Sequence, residues 1–183
     1  DGEKLEGDLR PSSEIKMHLD VYRRRPDVRA VIHAHPPVAT GFAVAGIPLN
    51  KCVLPEVIIS LGSIPIARYG TPSTDEIPMA IREHLNDCDA FLLENHGALT
   101  IGVDLTNAYF KMETLEHFAQ ISLVARLLGH ENVLPPEKVQ ELMEVRRRMG
   151  VPGKNPGCVI NGTCVLPTGE ATSESGKSDD KSG

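Results

Sequence analysis

Residues 28–35, Val-Arg-Ala-Val-Ile-His-Ala-His, are the stretch of sequence on which the predicted fold depends. The β-branched residues predict a buried strand that ends at two histidines, His33 and His35. Residues two apart on a strand point to the same side, so these two imidazoles are expected about 6 to 7 Å apart. At that separation both can reach one metal ion, although paired strand histidines are also found as ordinary surface or core residues.

Helix and strand patterns alternate on both sides of this stretch, without an internal repeat. Such alternation is typical of one α/β layered domain. Further strands are predicted over 89–94 and 98–101, and two more apolar runs cover 53–61 and 64–69. Apolar spacing, prolines and glycines predict helices that begin near Ser12, Pro36, Ser73, Asp104 and Pro136.

Two of these helices carry more specific signals. Ser73 and Glu76 have the spacing of a capping box, which predicts a helix from there to about Asn86. The helix over 104–128 has an apolar stripe at three-and-four spacing that begins with Leu105 and Tyr109. Apolar residues outside that stripe predict a contact surface for another subunit; they are Phe110, Phe118 and Ile121.

Length and composition limit the class of protein. The chain has 183 residues, of which 40% are hydrophobic, enough for one core. Its net charge of −6, without a long basic block, disfavours nucleic acid and anionic membranes as partners. No stretch approaches the roughly 18 consecutive apolar residues of a membrane span, and four scattered cysteines suit reduced thiols. A cytoplasmic protein is expected.

Composition also suggests where the domain ends. From about residue 154 the chain is rich in Gly, Ser, Thr and charged residues, which predicts a disordered tail over 154–183 and a folded domain over 1–153. At the other end, Asp1-Gly2 is a hairpin-turn dipeptide without a strand before it, and an initiating Met is lacking. The N-terminal part of the domain is therefore expected upstream of this chain.

A third histidine has a similar setting. His96 lies in Glu94-Asn95-His96-Gly97, between two predicted strands. With His33 and His35 it would complete a set of three imidazoles that leaves a coordination position open, as in catalytic zinc sites. His18, His84, His117 and His130 lie in or after helices, where solvent exposure or the helix dipole explains them.

Glu14, Ser12 and Ser13 form a second group of candidates at the start of the first helix. A carboxylate in a first helical turn interacts favourably with the helix dipole, so Glu14 needs no catalytic role to explain it. The two serines can cap the helix, or their hydroxyls and the nearby amides can bind an anion. Both alternatives stay open on spacing alone.

Three motifs in order carry a family resemblance. Gly7-Asp8-Leu9-Arg10-Pro11-Ser12-Ser13-Glu14, then His33-Ala34-His35, then Glu94-Asn95-His96-Gly97 resemble the class II aldolase/adducin family. The similarity covers about residues 1 to 150 and is strongest to the L-fuculose-1-phosphate and L-rhamnulose-1-phosphate aldolase branch. It implies a three-layer α/β/α domain around a mainly antiparallel sheet, assembled as a homotetramer with active sites between subunits.

The resemblance also implies roles for individual residues. His33, His35 and His96 would be the Zn²⁺ ligands, Glu14 the catalytic acid/base, and Ser12 and Ser13 the phosphate-binding residues. The implied reaction cleaves a phosphorylated ketose to glycerone phosphate and an aldehyde through a metal-stabilised enediolate. Glutamate at position 14, where related pentulose-phosphate epimerases have Asp, favours carbon–carbon bond cleavage.

Other activities of the same fold remain open. They are a decarboxylase, dehydratase or epimerase acting on a related sugar phosphate or sugar acid, and a non-catalytic module like the adducins, which lack the metal histidines. The family's Gly-Asn-x-Ser phosphate loop would lie upstream of this chain. Pro72 follows Tyr69-Gly70-Thr71 where aldolases have an aromatic residue, so the sugar is left open. Glu56 either reaches the site or forms an ion pair or subunit contact.

Overall fold

A computed structural model describes residues 2–160 and 163–165 of the chain. Six helices and six strands occur in these residues. In chain order they are α1 (Ile15–Arg24), β1 (Ala30–Ala34), α2 (Pro37–Val44), α3 (Pro55–Ser60), β2 (Ile66–Ala67), α4 (Glu76–Arg82), β3 (Ala90–Leu93), β4 (Gly97–Gly102), α5 (Leu105–Leu127), α6 (Pro136–Met149), β5 (Cys158–Ile160) and β6 (Thr163–Val165).

Four strands form the central sheet, in the order β1-β4-β3-β2. β4 pairs antiparallel with both β1 and β3, and only the short β2 runs parallel to β3. In the β1–β4 register, His33 lies opposite Leu99 and Ala34 opposite Ala98. The sheet is therefore mainly antiparallel, as predicted, and the end of β1 lies beside the beginning of β4.

Helices cover both faces of this sheet. Alternate strand residues point to opposite faces, so each face has its own core. On one face, Phe91 and Leu99 pack with α1 and α4, through Met17, Val21 and Ile81. On the other face, the residues that pack with α2, α3 and α5 are Leu92, Ala98, Phe42, Val57, Leu61, Met112, Leu115 and Phe118. The predicted three-layer α/β/α architecture is confirmed.

The capping box predicted for Ser73 and Glu76 is wrong. The Glu76 amide donates to Thr74 Oγ1 at 3.2 Å, and the Glu76 carboxylate accepts from the Thr71 amide at 2.7 Å. Ser73 has a φ of +70°, so it belongs to the turn before the helix. Glu76 thus bonds to Thr71 and Thr74 of the preceding turn and not to Ser73, and α4 runs from Glu76 to Arg82, short of the predicted Asn86.

The apolar pattern of α5 also differs from prediction. Phe118, expected on a surface for another subunit, is 1% exposed, whereas Leu105 and Tyr109 are 68% and 50% exposed. The reason is that α5 packs on the sheet along one side and on α2 along another, so the buried arc is wider than a single stripe. Phe110 is 57% exposed, as predicted.

A buried charge cluster ties the domain together beside α5. Asp89, at the start of β3, is 2% exposed and accepts from Arg25 at 2.9 Å and from Lys111 at 2.7 Å. Both cations are also buried, and each has a further backbone carbonyl partner. Because these three groups are buried, they stabilise one another's charges, and Arg25 is also paired with the half-exposed Asp27.

The same carboxylate binds the segment after α6. Lys154 donates its amide to Asp89 Oδ2 at 2.9 Å, the Asn155 side chain donates to the Ile58 carbonyl at 2.8 Å, and Ser63 donates its amide to the Gly157 carbonyl at 2.6 Å. Residues 154–158, assigned to the tail by composition, thus lie against the domain because the domain satisfies their polar groups. Positions 161, 162 and 166–183 of the predicted tail lie outside the described residues.

The structure also describes the length of the helices and the burial of the cysteines. Over the described ranges, none of the helices has both the length and the apolarity to cross a bilayer. The thiols of Cys52 and Cys88 are buried, as predicted, and so is that of Cys158.

Candidate metal centre

The sheet brings the three predicted histidines together. His33 lies in β1, His35 directly after it, and His96 in the turn before β4. Their ring centroids are 4.8 to 5.0 Å apart in all three pairs. One ring nitrogen from each lies within 4.8 Å of the other two. The convergence follows from the antiparallel pairing of β1 with β4, which places positions 35 and 96 at the same end of the sheet.

Gly97 allows this close approach. A Cβ at this position would lie 2.5 Å from His35 Cδ2, 2.6 Å from the Ala34 carbonyl oxygen and 3.4 Å from His33 Cε1. Asn95, two residues earlier, has a φ of +55°, which turns the chain back so that the His96 amide can donate to the Leu93 carbonyl at 3.0 Å. The tight turn and the missing side chain together aim His96 at the other two imidazoles.

Hydrogen bonding indicates which nitrogen of His33 is free. Its Nδ1 lies 2.9 Å from the Ala98 carbonyl oxygen, which can only accept, so Nδ1 carries the proton. Nε2 is then left with its lone pair and lies 3.2 Å from His35 Nε2. Two nitrogens bound at zinc's usual distance in tetrahedral geometry are about 3.3 Å apart. The spacing of the two Nε2 atoms therefore suits a shared ion.

His96 supplies a second test of fit. Its Nδ1 is buried and has no hydrogen-bond partner among the described residues. A buried, unpartnered polar atom is costly, and a cation coordinated by this nitrogen would give it a partner. A neutral imidazole donor set of this kind suits Zn²⁺. The residues present therefore fit a zinc ion.

The protonation state of His33 also favours a metal ligand. Burial lowers the pKa of His33 below its ordinary value, and the neighbouring His96 and His35 lower it further. The Ala98 carbonyl and the Glu14 carboxylate act in the opposite direction without reversing the shift. Since only neutral imidazole can bind a metal, a lowered pKa keeps His33 in the ligating form at neutral pH.

Glu14 lies within electrostatic reach of this cluster. It immediately precedes α1 and is half-buried, and its charge raises the pKa of both His33 and His18, although burial lowers each of them overall. Ser12 Oγ accepts from the Glu14 amide at 3.2 Å, and Ser13 Oγ donates to Glu14 Oε1 at 3.5 Å. The serines thus do support the helix start, and both remain exposed, so their hydroxyls are also accessible to a ligand.

Two other carboxylates bond to backbone amides of segments adjoining the histidines, and no role was predicted for either from the sequence. Glu94 accepts from the Tyr69 amide at 2.7 Å and so joins the end of β2 to the turn that carries His96. Glu116 accepts from two amides at the start of α2, the helix that follows His35. The sequence signal that could have identified Glu116 is its position: it is a charged residue on the buried side of α5, between Met112 and Ala119. Glu56 is exposed in the first turn of α3.

Comparison with known proteins places this site in a family. Residues 1–123 match the Class II Aldolase and Adducin N-terminal domain, which is two thirds of the chain. The chain belongs to this family. The resemblance carried by the three sequence motifs is thereby confirmed.

Members of the class II aldolase family with different names resemble the chain to a similar degree. The 5-deoxy-D-ribulose 1-phosphate aldolase of Bacillus thuringiensis serovar kurstaki is 34% identical over 142 residues, covering 78% of this chain and 66% of that protein. The 3-oxo-tetronate 4-phosphate decarboxylase of Escherichia coli is 35% identical over 128 residues, covering 68% of this chain and 60% of that protein. A solved structure of an L-fuculose 1-phosphate aldolase superposes with a TM-score of 0.72 at 34% identity, and the match covers 78% of this chain and 67% of that one. The chain spans less than two thirds of the first two relatives' length.

Proposed function

We propose that this chain carries the metal centre of a zinc-dependent class II aldehyde-lyase. The substrate is a phosphorylated ketose of the L-fuculose-1-phosphate kind, and the products are glycerone phosphate and an aldehyde. The observation that carries the proposal is the convergence of His33, His35 and His96, with the lone pair of His33 Nε2 fixed by the Ala98 carbonyl. The aldolases among the relatives support the reaction class.

Each residue has a defined task in this chemistry. His33, His35 and His96 would hold Zn²⁺, which as a Lewis acid stabilises the enediolate charge left when a bond next to a carbonyl breaks. Glu14, half-buried within electrostatic reach of His33, gives and takes the proton at the reacting carbon. Ser12 and Ser13, exposed beside Glu14, donate their hydroxyls to the substrate phosphate.

Decarboxylation is a second candidate, favoured by the 35% identity to a 3-oxo-tetronate 4-phosphate decarboxylase. Loss of CO₂ from a 3-oxo acid also leaves negative charge next to a carbonyl, so the same three imidazoles and the same dication would serve. The two reactions differ in the fragment that leaves: an aldehyde in one case, CO₂ in the other. Product analysis on phosphorylated ketoses and 3-oxo-tetronate phosphates distinguishes them.

Metal content and turnover together test the proposal. Purified chain should contain about one zinc per molecule, and Glu14→Gln should abolish turnover without changing that content. Glu137→Gln, which changes an exposed carboxylate in the first turn of α6, is the matched control and should keep both. Loss of zinc in Glu14→Gln would show that Glu14 is a ligand, and absence of zinc from the wild-type chain would favour an adducin-like module.

We also propose that the protein is a cytoplasmic homotetramer. The apolar residues exposed along α5 support an interface between subunits; they are Phe110, Val124, Leu127 and Leu128, each more than half exposed. Buried thiols at Cys52, Cys88 and Cys158 are in keeping with a reducing compartment. Light scattering coupled to size-exclusion chromatography should give four chains per particle, and a monomer would contradict the assembly.

A further inference from the structure

The start of α2 is capped by a residue from another helix. Its N-cap residue is Pro36, whose side chain cannot accept a hydrogen bond, so the first-turn amides need another partner. Glu116 of α5 provides one with both of its oxygens. Oε1 accepts from the Val38 amide at 3.1 Å, and Oε2 accepts from the Ala39 amide at 2.8 Å. The Glu116 side chain is partly buried there.

The capped end of α2 is directly attached to His35. Pro36 alone separates His35 from Pro37, the first residue of the helix. Both prolines have fixed φ angles, so the orientation of the helix start is transmitted to His35 with little freedom. His35 itself lies beyond the last pair of the β1–β4 ladder, Ala34 with Ala98, and is exposed. Its backbone is therefore held between the end of β1 on one side and the start of α2 on the other.

The other end of α2 contacts the third ligand's turn. The Asn95 amide donates to the Ala43 carbonyl at 3.4 Å, one residue before His96. α2 thus adjoins two of the three ligand segments, whereas His33 is held by β1 and by the Ala98 carbonyl. A shift of α2 would move His35 relative to His33.

On the basis of the metal site proposed above, we infer that Glu116 is a positioning residue for the metal centre. Its carboxylate binds the start of α2 to α5 and so holds His35 at the distance from His33 and His96 that one cation requires. Glu116 does not contact the ion in this arrangement. Residues that orient the side chains bound to a metal typically affect metal affinity 10- to 100-fold.

Metal titration of three variants tests this role. Glu116→Ala should weaken Co²⁺ and Zn²⁺ binding about 10- to 100-fold, and Glu116→Gln, which keeps one acceptor oxygen, should weaken it less. The matched control is Asp104→Ala. It removes the cap of α5 itself, where Asp104 Oδ1 accepts from the Asn107 amide at 2.7 Å, beyond the far end of β4 from His96. This control should lower the Tm yet keep the wild-type affinity.

The absorption spectrum of bound Co²⁺ supplies a readout that lost stability alone would not move. Glu116→Ala should change the ligand-field bands, because His35 moves, whereas Asp104→Ala should leave them as in the wild type. Unchanged affinity and spectrum in Glu116→Ala would overturn the inference, and so would equal weakening in Asp104→Ala. If Glu116→Ala does not fold, Glu116→Gln decides by the same criteria. A wild-type chain that binds neither ion refutes the proposed function and the inference together, whereas failure in the variants alone refutes only the inference.

Discussion

Replacing Gly97 with alanine should disrupt the metal centre without changing a single ligand. The added Cβ would lie 2.5 Å from His35 Cδ2 and 2.6 Å from the Ala34 carbonyl oxygen, where ordinary contacts begin at 3.4 Å. Relief requires a displacement of nearly 1 Å. The exposed His35 ring can swing away, but the Ala34 carbonyl belongs to β1, so β1 and the start of β4 must also separate. Gly97 is not among the residues with positive φ, so the effect is steric.

The expected magnitude follows from that displacement. Overpacking of this kind costs about 1–3 kcal/mol of stability, and a ligand shift of about 1 Å should weaken zinc binding 10- to 100-fold. Competition with a chromophoric chelator measures the affinity, and thermal unfolding of the metal-free chain measures the stability.

A glycine-to-alanine substitution away from the histidines serves as the control, because it changes the backbone in the same way without a steric clash. Gly41 lies inside α2, and a Cβ there would meet no atom within 4 Å. Gly41→Ala should therefore keep zinc affinity and stabilise the chain by about 0.5–1 kcal/mol, since alanine favours helix. Wild-type zinc affinity in Gly97→Ala, or equal loss in Gly41→Ala, would refute the reasoning that packing against Gly97 sets the position of the imidazoles.

Three further results are expected. Asp89→Ala leaves the buried Lys111 without a carboxylate partner and Arg25 with Asp27 alone, and it should cost about 3–5 kcal/mol in denaturant unfolding. Asp27→Ala removes only the half-exposed carboxylate from Arg25 and should cost at most about 1 kcal/mol. Burial opposes ionisation of Asp20, but the hydrogen bonds and charges of Arg82 and Arg24 prevail and lower its pKa below the ordinary value of 3.8 for an aspartate. Its contribution to stability is therefore complete above that value and lost as pH falls through the lower folded-state pKa, so Asp20→Asn should flatten the acid limb of a Tm-against-pH curve while wild type keeps it. Removal of zinc by a chelator should lower the Tm, and added zinc should restore it in a concentration-dependent manner; a Tm indifferent to both would argue against a folded-state metal site.

The sheet and most helices could be predicted because local patterns determine them. The strand over 28–35 and the helix from Pro136 to Met149 depend on residue type and on prolines, and the structure has both elements. For the apolar runs at 53–61 and 64–69, the sequence does not distinguish helix from strand. The first contains α3 and the second only the two-residue β2, because tertiary packing decides between helix and strand in short apolar segments.

The features that could not be predicted from the sequence depend on contacts between distant segments of the chain. His33 lies in β1 and His35 directly follows that strand, so their proximity is local along the chain, but the position of His96 depends on β1 pairing with β4. Glu116 lies 77 and 78 residues from the amides it caps, and no local spacing encodes that contact. The burial of Phe118 likewise does not follow from local spacing, because it depends on which elements pack around α5.

In the proposed function, the three histidines determine which kind of bond is broken but not which substrate contains that bond. His33, His35 and His96 would hold a dication that stabilises negative charge next to a carbonyl. Neither the binding of the dication nor this stabilisation depends on whether an aldehyde or CO₂ departs. Selection between substrates requires groups that contact the rest of the sugar, and the candidates at hand, Ser12 and Ser13, are exposed. Near-equal identity to an aldolase and to a decarboxylase is what such a division predicts. Substitutions at Ser12 or Ser13 should therefore change KM for phosphorylated substrates, while those at the histidines should abolish every activity alike.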